Sequence, residues 1–319
     1  MKYKILELLK NSSGFISGED IGKQLNISRA AVWKNIAKLK TEGYEIESVS
    51  NKGYKLIQDN KDNVLNKFEI GIENCVFLPE VDSTNLEAKR IAQAPFKDKL
   101  LVVCNKQLTG RGRLGRTWQD KGENVCMSYL FKPDIPPMDA QQFTLISGLA
   151  VAEAITEQTG LECKIKWPND VILNGKKLVG ILTEMSAEME HINYVIVGIG
   201  INVNCTEFDG ELKDKATSLA LELGHSFNRS LIVKKCAEKM FLYYDRFCTD
   251  GFDCFISQYN QRCINVGKTV KAIYKNRHLI GLAKGIDENG GLIILCEDGN
   301  EVTVTSGEVS LRLEKNNYI

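Results

Sequence analysis

The chain has 319 residues, equal numbers of basic and acidic side chains at 41 each, and an apolar fraction of 43%. That length suffices for two or three domains of ordinary composition, and zero formal net charge confines any nucleic-acid contact to a local patch. No apolar run approaches the roughly 20 residues of a membrane span and no signal-peptide pattern opens the chain, so a cytoplasmic protein with no membrane partner is expected.

In chain order, Ile5, Leu6, Leu8 and Leu9 predict a first amphipathic helix, broken at Asn11-Ser12-Ser13-Gly14. Gly18 to Leu25 reads as a short second helix with Ile21 and Leu25 inward, followed by a turn at Asn26. Ser28 suits the N-cap of a third helix running to about Glu42, with Val32, Ile36 and Leu39 as its inner stripe and Gly43 as its end. Tyr44 to Val49, a turn at Ser50 to Gly53, and Tyr54 to Ile57 predict a β-hairpin. Three helices and a hairpin make the winged helix-turn-helix pattern, with the helix-turn-helix at about 18–37. Ten basic residues face seven acidic ones over residues 1–60. Arg29, Lys34, Lys38 and Lys40 fall away from the inner stripe, and Lys52 and Lys55 fall on the wing. Ser28, Arg29, Lys34, Lys38 and Lys52 are the candidate DNA contacts; a solvated helix used for protein contacts is the alternative.

Gln58 to Asn66 is a polar linker. Beyond it, strands and helices alternate to about residue 265. Helices are expected over Ser83–Ala92, Asp139–Thr159 and Leu231–Thr249. Strands are expected over Leu100–Cys104, Asn124–Phe131, Leu161–Lys166, Asp170–Leu173, Leu178–Met185 and His191–Gly198. Short connections such as Asn174-Gly175 favour antiparallel pairing and an α+β class. From Val266, short β-runs (269–274, 278–286, 292–296, 301–304) predict a small β-barrel. The predicted domains are thus 1–60, 67–265 and 266–319. The ten cysteines are scattered, without C-x-x-C and without zinc spacing to the three histidines. They read as buried apolar groups, and no metal or His-dependent nucleophile site is expected.

The central region carries the chemistry. Gly110 to Arg116 alternates three glycines with three arginines. Glycines allow tight turns and close approach of an anion to main-chain N–H groups, and arginines supply permanent forked charge. The formal G-x-G-x-x-G match is not a dinucleotide site, because a strand rather than a helix follows. Val81 to Asn85 places small polar groups at a strand-to-helix junction, to cap the helix or to bind a polar ligand. Lys166 to Asp170 is an unusual Trp-Pro turn flanked by charge, Lys177 precedes an apolar strand, and Gly198 to Asn202 ends another with glycines, as close ligand approach would require.

With these strings in order (Asp82 to Asn85, Gln107, Gly110 to Gly115, Lys166 to Asp170, Lys177 to Gly180, Gly198 to Asn202, Ser306 to Arg312, and Ser28 to Lys34 near the start) the chain resembles the bifunctional biotin–protein ligases that also repress the biotin operon. The resemblance spans nearly the whole chain, and the combination of GRGRxG with KWPND is highly specific. It implies a winged-helix domain, a central α+β ligase domain with a mixed, mainly antiparallel sheet of class II synthetase-like type, and an SH3-like C-terminal barrel. It implies two-step chemistry: biotin and MgATP give biotinyl-5′-AMP and pyrophosphate, and a lysine of a biotin carboxyl carrier protein, such as an acetyl-CoA carboxylase subunit, then attacks the adenylate.

On that resemblance, Lys177 would bridge the biotin carboxylate and the α-phosphate, with Arg111 and Arg113 as catalytic partners. Ser83, Thr84, Asn85, Gln107, Arg111, Gly112, Arg113 and Lys177 would hold biotin. Arg113, Arg116, Trp118, Asn169, Lys177, Asn202 and Arg312 would hold ATP or the adenylate; Trp167 could be core or beside biotin, and metal ligands are not assigned. Leu114, at the variable loop position, would pack rather than bind phosphate. The acidic segment Asn204 to Ala216 would cover the adenylate. The adenylate would act as corepressor, favouring a homodimer that presents two winged helices to operator DNA. A lipoate- or octanoate-protein ligase and a non-catalytic ligand-sensing transcription factor are the alternatives.

Overall fold

The computed structural model describes residues 1–41, 44–58, 64–274, 277–305 and 307–311. At the N-terminus, α1 (Lys2–Lys10) buries Ile5, Leu6 and Leu9 against Ile21 of α2 (Gly18–Leu25) and Val32, Ile36 and Leu39 of α3 (Arg29–Thr41). Ser17 Oγ accepts from Asp20 N–H at 3.0 Å and starts α2, and Asn26 ends it in the left-handed region. Ser28 Oγ accepts from Ala31 N–H at 3.2 Å, as its N-cap position predicts. The hairpin β1 (Glu45–Val49) and β2 (Gly53–Gln58) follows, antiparallel. Glu42 and Gly43, expected to close α3, lie outside the described residues.

The central region opens with α4 (Lys67–Ile70), β3 (Cys75–Val81), α5 (Thr84–Ile91), β4 (Leu100–Gln107) and a two-residue pair, β5 (Gly110–Arg111) with β6 (Thr117–Trp118). It continues through β7 (Val125–Phe131), α6 (Gln142–Thr159), β8 (Lys164–Lys166), β9 (Asp170–Leu173), β10 (Lys176–Ala187), β11 (Ile192–Ile201), α7 (Leu219–Leu223), α8 (Arg229–Asp250) and α9 (Asp253–Arg262). Seven strands form one sheet in the order β3-β4-β7-β11-β10-β9-β8, parallel only at β3–β4 among the described residues. Side-chain alternation splits the sheet's two faces. Leu101 and Val103 join the large core under α6 and α8, while Leu100 and Val102 face Ala88 of α5. The α+β class follows from this layering.

Some boundaries differ from expectation. The strand predicted from Leu161 begins at Lys164, because Thr159 and Gly160 terminate α6 and Leu161 belongs to the turn. α4 and α7 are too short to show a helical period in sequence, and α9 (Asp253–Arg262) was not expected.

The C-terminal region is β12 (Thr269–Tyr274), β13 (Arg277–Ile286), β14 (Leu292–Cys296), β15 (Glu301–Val304) and β16 (Glu308–Leu311), an antiparallel SH3-like sheet in the order β15-β14-β13-β12-β16. β16 escaped the sequence reading. Val270, Ala272, Leu292 and Ile294 belong to the same buried cluster as the central core. The seam is also polar: Trp167 Nε1–H donates to Gly290 O at 3.0 Å. Among the described residues no helix is long and apolar enough to cross a membrane.

Candidate functional site

The arginine segment is an ordered hairpin. Gly110 pairs with Trp118 and Arg111 with Thr117, and Gly112 N–H donates to Arg116 O at 2.7 Å. A Cβ on Gly110 would lie 2.2 Å from Trp118 O, so this close main-chain approach requires glycine. Leu114 and Gly115 turn the tip with φ of 54° and 75°. Leu114 does not pack: it is 79% exposed at that tip.

Behind the hairpin runs a buried polar row. Ser83, Thr84, Asn85 and Gln107 are all nearly inaccessible. Gln107 Oε1 accepts from Thr84 N–H at 2.8 Å and from its hydroxyl at 3.2 Å. Ser128 Oγ lies 2.8 Å from Thr84 Oγ1 and donates to Asn85 Oδ1 at 2.6 Å. Asn85 Nδ2 donates to Glu184 at 2.8 Å, and Lys89 completes the row with an ion pair to Glu184 at 2.7 Å. Burial pushes the Glu184 carboxyl up, but hydrogen bonds from Lys89 and Asn85, with the fields of Lys89 and Arg111, outweigh it and hold the group below its ordinary value. Ser83 stands at the N-cap of α5 without a side-chain capping bond. Thr84, Asn85, Gln107 and Ser128 therefore hydrogen-bond one another at the cleft wall, with Gln107 in place of Ser83 meeting the first N–H of α5. Ser128 and Glu184 were missed by sequence reasoning; a lone carboxylate within the apolar β10 was the available signal.

Lys177 enters from the opposite side. Its Nζ lies 2.5 Å from Asp170 Oδ1. Its main chain is clasped on both sides, N–H to Lys215 O at 2.8 Å and C=O from Thr217 N–H at 2.9 Å, forming a short parallel bridge with Ala216. Arg113 reaches across to Asn169 Oδ1 at 3.0 Å, and Asn169 Nδ2 anchors to Ile181 O at 3.1 Å. Asn202 Nδ2 donates to Thr217 O at 3.1 Å. Lys121 pairs with Asp209 at 3.1 Å, joining the stem of the arginine hairpin to the segment Asn204 to Ala216.

These groups surround one cleft of about 660 Å³, a volume suited to a small-molecule ligand. It brings together Ser83, Thr84, Asn85, Gln107, Arg111 to Arg113, Arg116, Trp118, Asn169, Lys177 and Asn202. Eight basic side chains line it against three carboxylates, so its field favours an anion. Lys271 and Ser310 extend the wall from the C-terminal sheet; Ser310 lies in the Ser306 to Arg312 string, whereas Lys271 has no motif in the sequence. Arg312 and Ser306 lie outside the described residues.

The glycines of β10 and β11 carry a correction. Gly180 and Gly200 are register partners, and a Cβ on Gly200 would lie 2.3 Å from Trp118 Cε2. A Cβ on Gly198 would lie 2.1 Å from Asn85 Oδ1. The close approach they permit is to Trp118 and Asn85, which then form the cleft surface. Trp167, left open between core and ligand, is 2% exposed and held by Asn265 and Gly290. In the winged helix, Ser28, Arg29, Lys34, Lys38 and Lys52 are all exposed, and Trp33 among them is 65% exposed.

The family model described as the biotin/lipoate A/B protein ligase family matches residues 77–202, an HTH domain model matches 2–55, and the biotin protein ligase C terminal domain model matches 266–312. The chain is 38% identical over 314 residues to the bifunctional ligase/repressor BirA of Bacillus subtilis, covering 94% of this chain and 95% of that protein. The chain belongs to the bifunctional biotin ligase/repressor family. Within the family, it is also 31% identical to the biotin–[acetyl-CoA-carboxylase] ligase of Paracoccus denitrificans, over 70% of this chain and 95% of that one. The biotin protein ligase from Aquifex aeolicus in complex with biotin and ATP superposes with a TM-score of 0.66 at 33% identity, covering 76% of this chain and 100% of that one.

Proposed function

We propose that this chain is an ATP-dependent biotin–protein ligase that also acts as a biotin-responsive transcriptional repressor. Residues 1–60 are its DNA-binding unit, 67–265 its ligase unit and 266–319 its C-terminal unit. The observation that carries the reading is the placement of Lys177: a cation on a main-chain-clasped strand, in one cleft with the buried polar row on one side and the arginine hairpin on the other.

Activation joins two anions. A biotin carboxylate oxygen attacks the α-phosphorus of ATP, and the bond to pyrophosphate breaks. Lys177 Nζ leaves Asp170 to bridge the carboxylate and the α-phosphate, lowering their repulsion and stabilising charge in the transition state. Arg111, Arg113 and Arg116 neutralise the phosphates and the leaving pyrophosphate. Magnesium enters with the substrate as MgATP, on phosphate oxygens.

Ser83, Thr84, Asn85 and Gln107 supply the donors and acceptors for biotin, with main-chain groups of Gly112 and Arg113, while Trp118 gives an apolar surface. Asn169 and Asn202 fix the walls of the nucleotide side through Arg113 and the Thr217 carbonyl. The mixed anhydride formed is water-sensitive, and the hairpin and the Asn204 to Ala216 segment exclude water from it. In the second step a neutral lysine amine of the carrier protein attacks the acyl carbon, AMP departs, and the amine loses a proton. The adenylate favours a homodimer that presents two exposed α3 helices to a two-fold operator.

Incubation with biotin, MgATP and an apo-carrier domain tests the enzymatic half. Carrier biotinylation is expected. Its absence, or transfer of lipoate or octanoate in its place, overturns the reading. A gel shift of operator DNA that strengthens with biotin and ATP tests the repressor half.

A further inference from the structure

Arg229 is fully buried and is the first residue of α8. Burial disfavours its charge, and the positive end of a 22-residue helix disfavours it again. Loss of solvent pulls the guanidinium below its ordinary range, opposed chiefly by the field of Asp120. A cation placed against both effects is held by what it binds. Its Nη1 donates to Gly122 O and its Nη2 to Asn105 O, each at 2.8 Å.

Those two carbonyls lie on the chain segments that flank the cleft. Gly122 closes the stem of the arginine hairpin, and Asn105 precedes Gln107 on β4 by two residues. Asp120 ties the same segments from the other side, accepting from Gln107 N–H at 2.8 Å and from Gly122 N–H at 2.9 Å. Arg229 and Asp120 thus fix Gln107 and the hairpin stem to each other.

The same turn of α8 also holds the segment that follows the winged helix. Ser230 Oγ accepts from Asn66 N–H at 2.8 Å, and Asn105 Oδ1 accepts from Leu65 N–H at 2.9 Å. Asn228 Nδ2 donates to Glu69 at 3.1 Å, and Glu69 pairs with Lys10 of α1 at 3.9 Å. Asn105 therefore touches both sides, its carbonyl on Arg229 and its side chain on the linker.

We propose that Arg229 is a positioning residue that fixes the base of the biotin site and, through Ser230 and Asn105, passes the state of the arginine hairpin to the segment carrying the winged helix. The proposal rests on the ligase reading above.

The test uses the full chain and three variants. In the wild type, biotin with MgATP is expected to slow amide hydrogen exchange in the peptide containing Leu65 and Asn66. Arg229→Gln is expected to raise the biotin KM about tenfold with a smaller effect on kcat, and to lose that slowing. Arg229→Lys, which keeps the charge, is expected to recover part of both. Ser230→Ala is expected to keep wild-type ligation kinetics and lose the ligand-dependent slowing. A folded Arg229→Gln with wild-type KM and intact slowing overturns the proposal, as does a wild type whose linker amides ignore the ligands. Should Arg229→Gln fail to fold, Ser230→Ala decides: retained slowing overturns the coupling and its loss supports it. Failure of the ligase reading is seen separately, as absent biotinylation by the wild type.

Discussion

Lys177 Nζ and Asp170 Oδ1 stand 2.5 Å apart on neighbouring strands, Asp170 as the first residue of β9 and Lys177 as the second of β10. The pair holds the Lys177 side chain at the cleft wall and gives it a partner until anionic substrates arrive. Lys177→Ala is expected to lower adenylate formation by at least about a hundredfold while biotin still binds weakly. ATP–pyrophosphate exchange measures this, and near-normal exchange would remove Lys177 from the mechanism. The variant also removes the ion pair of the 8% exposed Asp170, at a cost of about 1–3 kcal/mol discounted for partial exposure. Lys177→Ala with Asp170→Asn should recover that stability in urea denaturation without recovering exchange.

The register pair Gly180 and Gly200 is expected to be intolerant of side chains. In Gly200→Ala the new Cβ would meet Trp118 Cε2 at 2.3 Å, so the indole must shift. We expect a biotin KM raised about tenfold or more and a stability loss of about 1–3 kcal/mol. Unchanged affinity for both biotin and ATP by calorimetry would show that Trp118 is no part of the ligand surface.

Glu184 makes acid stability measurable. Its folded carboxyl titrates below 4.5, its ordinary value. Its ionised form therefore stabilises the fold above that pH, and the contribution is lost as pH falls through the lower folded value. The Tm gap between wild type and Glu184→Gln is expected to be level from pH 7 to about pH 5 and to shrink below that. A gap that widens on acidification contradicts the sign.

Arg29→Ala is expected to weaken operator binding and to reduce the slope of log Kd against log salt by about one, through loss of a phosphate contact. Ligation should be unaffected, since Arg29 is exposed on α3 and is not part of the cleft lining. Parallel loss of both activities would contradict separable units.

Much of this was readable from the chain because local signals agreed with the global fold. The inner stripe of α3, its Ser28 cap and the Asn26 turn each act within a few residues, so spacing alone located them. The glycine–arginine alternation was equally local. What escaped depends on contacts distant in sequence. Ser128 matters because β7 brings it against Thr84 and Asn85, and Lys271 because β12 packs beside the cleft. Gly198 and Gly200 were expected to admit a ligand, and the groups that come close to them are side chains. The approaching groups, Asn85 and Trp118, come from distant segments, so the spacing could not name them.

The clasp on Lys177 is made by main-chain atoms, Lys215 O and Thr217 N–H. A peptide group is the same whatever side chain it carries. The segment ahead of it, with its run of Glu207, Asp209, Glu211 and Asp214, can drift in sequence among related proteins and still seat the lysine identically. Its side chains are thereby spared that task, and they serve the cleft instead, Glu207 and Glu211 in its wall and Asp209 on Lys121.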